Sequence, residues 1–251
     1  VGMTGDGVND APALKQAEMG IAVSNSTDVA KASASVVLTE PGIRVIIDAI
    51  KTSRQTYQRM LSWVINKVTK VIQFVGVLTV GYFLFHSMVL SLLGTALLVF
   101  ANDFVTMSLS TDNVKSTSNP NKWNVKNITL ASSIIGMLLI AEGAIAILLG
   151  VNYFRLNWQE LQTFTMLMLV FTSQFRVFIV RERRYFWSSR PGKALIFSTF
   201  STIAGFTLLS VYGIFIPPLT LHQVIFILVF SGVFTFGIDT PKYYVFKKFG
   251  L

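Results

Sequence analysis

Six stretches of this chain are apolar and long enough to cross a lipid bilayer: about Trp63 to Phe85, Met88 to Ser110, Leu130 to Val151, Thr163 to Val180, Ala194 to Phe215 and Leu221 to Ile238. A hydrocarbon core calls for roughly 20 such residues in a helix. Inside it every backbone polar group must be bonded within the segment, so the runs are confined to a helical bundle. Composition agrees, with 52% hydrophobic and only 13% charged residues and a mean hydropathy of +0.59. Soluble domains carry about a quarter charged residues. With no cysteine, disulfides and thiolate metal sites are excluded.

An even number of spans puts both ends of the chain on one side of the membrane. Lys115, Lys122 and Lys126 lie between the second and third spans, Arg181, Arg183, Arg184, Arg190 and Lys193 between the fourth and fifth, and Lys242, Lys247 and Lys248 after the sixth. The opposite loops offer only His86, Arg155 and His222. Positive charge marks the cytoplasmic side, so both ends are expected there. The same bias accounts for the net charge of +9 without a nucleic-acid ligand, for which the chain has no reading motif. RERRYFWSSR, Arg181 to Arg190, reads as an interfacial belt of cations and aromatics at the headgroups.

Ahead of the spans the pattern changes. Strands are expected at Gly20 to Val23 and Ser35 to Leu38, with a helix near Thr27 to Ala34 and a turn at Pro41-Gly42. From Ile43, apolar residues recur at helical spacing (Val45, Ile46, Ala49, Ile50, Tyr57, Leu61), and no Gly or Pro intervenes before Gly76. The division expected is residues 1–42 as the end of an α/β domain, 43–62 as a stalk helix and 63–251 as the membrane region. One helix would then link the first part to the last.

Residues Met3 to Leu14 read MTGDGVNDAPAL. Gly5 and Gly7 allow a sharp fold around Asp6, and Asn9 or Asp10 would cap a helix over Ala11 to Glu18 with Pro12 in its first turn. Hard carboxylate oxygens on a tight backbone suit Mg²⁺ and phosphate. TGDGVNDAP resembles the hinge-proximal loop of the P-type cation ATPases, and Gly20 to Met60 is similar to their link from phosphorylation domain to fifth membrane helix. The resemblance implies the end of a haloacid-dehalogenase-like phosphorylation domain followed by a mostly α, six-helix membrane bundle. It also implies ATP and Mg²⁺ as cofactors, Asp6 as a Mg²⁺ ligand, Asn9 as a contact to the phosphoryl group, and Asp10 completing the metal and hydrogen-bond shell. The family's DKTGT nucleophile motif does not occur in these residues. With no initiator methionine, the chain is expected to be a C-terminal portion of a longer polypeptide, inactive toward ATP without the rest.

Within the second span, Asp103 lies beside Asn102, with Thr106 at i+3 as a possible partner. Ionisable groups at membrane depth are costly and usually functional. The run from Asn102 through TMSLSTDNVKSTSNPNKW resembles the sixth helix of the type III plasma-membrane proton pumps, and Asp103 stands where they carry the proton. One carboxylate suits H⁺, whereas Ca²⁺ takes six to eight oxygens. Asn66, Thr69, Gln73, Asn102, Asp103 and Thr106 include a single carboxylate. Gln73 departs from the family, standing in place of an arginine. Lys70, one turn earlier, could serve as the replacement cation beside Asp103, or snorkel to the interface, as Lys67 is expected to do. Glu142 and Arg176 could pair with each other or line a water path.

The expectation is thus part of a multi-pass plasma-membrane pump exporting protons through an aspartyl-phosphate cycle, with lipid and the preceding part of its own polypeptide as partners. Its competitors are a pump for Mg²⁺ or a monovalent metal ion, a membrane-anchored phosphatase, and a non-catalytic scaffold.

Overall fold

The computed structural model describes residues 1–119 and 122–251. Pro120 and Asn121, inside the pump-like motif noted above, lie outside the described residues. The chain forms two compact units, Val1–Gln55 with Ser116–Pro120, and Thr56–Lys115 with Asn121–Leu251.

In the first unit, β1 (Gly2–Gly5), β2 (Met19–Ala22) and β3 (Val36–Val37) form a parallel sheet in that order. Gly2 pairs with Met19, Gly5 with Ala22, and Ile21 with Val36. Parallel neighbours need crossover connections, supplied by α1 (Ala11–Gln16) and α2 (Asp28–Ser33). Both helices are shorter than the sequence pattern suggests. Pro12 sits in the first turn of α1 as expected. Thr27 caps α2 by accepting from the Ala30 N–H at 3.3 Å. Leu14, Ile21, Ala22, Ala30 and Leu38 are the buried apolar residues of this unit.

α3 (Ile43–Phe85) then runs without interruption for 43 residues, about 65 Å at ~1.5 Å per residue. The division between the units falls within it. Its later part joins α4 (Leu92–Ser108), α5 (Val125–Asn152), α6 (Trp158–Val180), α7 (Lys193–Tyr212) and α8 (Leu221–Gly237), followed directly by α9 (Asp239–Phe249). Among the described residues six helices, counting α8 and α9 as one, are long and apolar enough to span a membrane. α4 starts later than the apolar run suggests because the Ser91 hydroxyl caps it, accepting from the Gly94 N–H at 3.0 Å.

α6 is the pillar of this bundle, buried along almost its whole length and packed on α4, α5, α7 and α8. α3 and α5 meet at glycines: Gly76 lies on Ile140, Gly136 on Ile72 and Gly143 on Val77, so closely that a Cβ at any of them would overlap its neighbour. Small residues at such seams are how membrane helices approach. Outward lie large apolar side chains such as Phe83, Leu92, Phe100, Phe197 and Val233.

Connectors 86–91, 153–157 and 213–220 are short, and in each a non-glycine residue takes a left-handed backbone: His86 (φ 54°), Arg155 (φ 49°) and Phe215 (φ 68°). The first is tied to α6 through Gln162 Nε2, which donates to the Met88 carbonyl at 2.8 Å. The intervening connectors, 112–124 and 181–192, are longer.

One cation of the expected belt turns inward, while Arg184 and Arg190 stay exposed. Arg181 is buried, its Nε 2.6 Å from Asp112 Oδ2, with both side chains only 1% exposed, and Asp112 Oδ1 also accepts from the Gly192 N–H at 2.8 Å. Lys242, expected in a cytoplasmic tail, is buried too. It pairs with Asp239 at 2.8 Å and donates to the carbonyls of Ile179, Glu182 and Arg184. These cations turn inward because Asp112, Asp239 and the carbonyls at the end of α6 and just after it need donors. Trp187 remains exposed, and the ring of Tyr185 stacks on it at 4.8 Å.

Candidate functional site

The loop from Gly5 to Asp10 joins β1 to α1. Asp10 holds the N-cap position of α1, yet its carboxylate does not cap the helix forward. It turns back, and Oδ2 accepts from the Asp6 N–H at 2.9 Å and the Gly7 N–H at 3.1 Å. Those two N–H groups hold its pKa below the ordinary 3.8, because bonds to the charged form favour it. Gly5 is required by proximity: a Cβ there would strike the Asp10 side chain. The Asp6 carbonyl accepts from Thr27 N–H at 2.8 Å, anchoring the loop to the start of α2. Asp6 and Asn9 project at the surface.

The residues fit Mg²⁺ in one manner. Among the described residues no cluster of three or more His, Cys, Asp or Glu side chains is present, which rules against an all-protein cage there. Mg²⁺ commonly takes one or two carboxylates together with water and phosphate oxygens, and Asp6 with the free lone pairs of Asp10 meets that need.

In the bundle, the sequence-derived residues separate into two groups. Asn102, Gln73 and Lys70 meet around a small void of about 10 Å³ between α3, α4 and α6, also lined by Ser173 and Arg176. That is on the order of one water molecule. Asp103 is elsewhere. One position along α4 is a rotation of about 100°, which carries it to the outer face, where 53% of its side chain is exposed. Its partner there is Lys67, with Nζ 3.1 Å from Oδ1, and Lys67 also lies over the Trp63 ring at 5.8 Å. The suggested pairing of Lys70 with Asp103 is therefore not the one formed. Thr106 does not bond the Asp103 carboxylate; its hydroxyl donates to the backbone carbonyls of Asn102 (2.8 Å) and Asp103 (3.2 Å).

Arg176 occupies the interior that the sequence had assigned to Asp103. Only 1% exposed, it donates from Nε to Asn66 Oδ1 at 2.9 Å and from Nη1 to Gln73 Oε1 at 2.5 Å. Nη2, Gln73 Nε2, Asn66 Nδ2 and Asn102 Oδ1 are buried without a bonded partner. Glu142 is fully buried as well, and among the described residues it forms no ion pair with Arg176 within 4 Å. The sequence held one hint of an internal Arg176. It stands five residues inside Arg181, about 7.5 Å deeper along a helix at ~1.5 Å per residue, with Ser173 and Gln174 just before it.

Residues 1–50 match the family model for haloacid dehalogenase-like hydrolases. Over 249 residues, 99% of the chain, it is 33% identical to a cation-transporting ATPase of Methanocaldococcus jannaschii, covering 31% of that protein. It is 33% identical over 226 residues to a plasma membrane ATPase of Dictyostelium discoideum, covering 85% of this chain and 21% of that one. Plasma membrane ATPase 1 of Saccharomyces cerevisiae is 34% identical over 224 residues, or 85% of this chain and 23% of its own length. The chain thus spans less than a third of these curated relatives.

Proposed function

The chain is a relative of the P-type cation-transporting ATPases along nearly all of its length, and on that premise we propose that it forms the phosphate-loop and membrane part of an ATP-driven pump. The cargo we infer is the proton, exported across the plasma membrane with both ends of the chain in the cytoplasm. One observation carries the cation-pump reading: three helices bring Lys70, Gln73, Asn102 and Arg176 around one interior void, with Asn66 bonded to the same Arg176. Groups of this kind are costly at membrane depth and mark ion pathways.

In this proposal Asp6 and Asp10 hold Mg²⁺ and Asn9 touches the phosphoryl group of an aspartyl-phosphate formed elsewhere in the polypeptide. Mg²⁺, when bound, supplies positive charge against the phosphoryl oxygens. Asp10 also fixes the loop, since it binds two of its N–H groups. Asp103 loads and releases the proton, with Lys67 as its paired cation. Arg176 answers the missing arginine of α3, because its guanidinium reaches Gln73 from α6. α3, continuous from Ile43 to Phe85, is the rod that carries movement to Lys67 and Gln73.

Export against 100 mV costs ~2.3 kcal/mol per charge and each pH unit adds ~1.4 kcal/mol. A swing of a few units in proton affinity at one carboxylate therefore suffices. The test is reconstitution of the full-length protein in vesicles with a pH-sensitive dye. ATP-dependent acidification of the compartment opposite the ATP is expected. ATPase activity that moves no protons and depends on an added metal ion beyond Mg²⁺ would replace the proton by that ion.

A further inference from the structure

Glu142 lies near the middle of α5 and is completely buried. Oε1 accepts from Thr172 Oγ1 on α6 at 2.6 Å. Oε2 is buried with no bonded partner. Ser231 of α8 faces the same carboxyl, its hydroxyl also buried and unpartnered. The charge facing Glu142 from α6 is Arg176, while α3 brings Lys70 to the same void as Arg176 and α8 brings the Ser231 hydroxyl.

An ionised carboxylate sealed in this way, with two neutral hydroxyls around it and no ion pair among the described residues, would pay a large desolvation cost. The neutral acid avoids that cost and still bonds both hydroxyls, accepting from Thr172 and exchanging a hydrogen bond with Ser231. Arg176 is prevented from neutralising it by α3. Thr172 and Arg176 are four residues apart on one face of α6, so the guanidinium starts one turn from the Thr172 hydroxyl. It is drawn to Asn66 and Gln73 instead, with Nη2 left over.

We propose that Glu142 is a second proton-binding site of this protein, distinct from Asp103, and that its proton is held or released according to whether α3 retains Arg176. With Arg176 bound to Asn66 and Gln73, Glu142 is the neutral acid. When α3 moves and lets the guanidinium swing toward α5, the Glu142 O–H bond breaks, its electron pair stays on the carboxylate, and the proton passes to water. Return of α3 reverses the step. The site does not depend on Asp103 carrying the transported ion.

Infrared difference spectroscopy of the full-length protein in lipid, at neutral pH, tests this. A protonated-carboxyl band is expected that disappears in Glu142→Gln, shifts in Thr172→Val and persists in Asp103→Asn. Gln73→Leu, which loosens Arg176 while leaving Glu142 intact, should lower the band by more than half. Absence of the band in the unaltered protein, or its survival in Glu142→Gln, overturns the site. A band indifferent to Gln73→Leu overturns the control by α3. Loss of transport in Asp103→Asn with the Glu142 band unchanged leaves this inference standing, whereas absence of the band from the unaltered protein while it still pumps rejects it alone.

Discussion

Lys67 Nζ stands 3.1 Å from Asp103 Oδ1, and this pair is only partly enclosed by the helices of the chain, with 30% and 53% of the two side chains exposed. Lys70, three residues on, lines the internal void instead. The two lysines are thereby given different tasks.

Asp103→Asn in the full-length protein should abolish ATP-driven proton movement while the protein remains folded, since amide and carboxylate have the same shape. Lys67→Met should lower the transport rate by about tenfold, equivalent to ~1.4 kcal/mol, and should exceed the effect of Lys70→Met. Dye-based transport assays on the three variants check the order. Equal effects of the two lysine variants would remove Lys67 from its role.

Gln73→Leu takes an acceptor from a buried guanidinium. Hydrogen bonds to charged groups are worth about 1.5–3 kcal/mol, and a loss of that size is expected in unfolding experiments in detergent. Gln73→Glu should be tolerated far better, because a carboxylate still accepts from Arg176.

Asp112 and Arg181 form a pair sealed from solvent. Asp112→Ala leaves Arg181 buried without its carboxylate and should cost ~3–5 kcal/mol. Replacing both, Asp112→Leu with Arg181→Met, should recover much of that loss, because a well-packed apolar pair can equal a buried ion pair. Denaturant midpoints for the two singles and the double complete the cycle.

The Asp10 carboxyl is held below its ordinary 3.8 by the N–H groups of Gly7 and Asp6. A depressed folded value means that the loop is stabilised at every pH above the unfolded value and loses that stabilisation as pH falls through the folded one. Protection of the Asp6 and Gly7 amides from hydrogen exchange should therefore persist at neutral pH and collapse only below about pH 3.8. Asp10→Asn should remove that acid transition, and Gly5→Ala should weaken protection at all pH values by displacing the Asp10 side chain.

Much of this was legible beforehand, for identifiable reasons. Spanning helices announce themselves by length and apolarity, and Gly5, Asp6 and Pro12 mark their loop by local backbone chemistry alone. Rotation of a helix about its axis is a tertiary property. Asn102 and Asp103 are neighbours in sequence, yet one enters the void and the other faces outward, and α4 by itself does not say which. α6 is apolar and buried nearly all round, so its pattern gives no inward face on which to place Arg176. Lys242 looked like a flanking cation because nothing in sequence shows that the carbonyls of Ile179, Glu182 and Arg184 converge on it.

The three left-handed turns at His86, Arg155 and Phe215 stitch the helices together in pairs at one rim of the bundle, leaving little slack there. Connector 181–192, between α6 and α7, is longer. Two helices joined so tightly are hinged at the stitch, so a tilt of α3 against α4 would part their far ends more than their near ones.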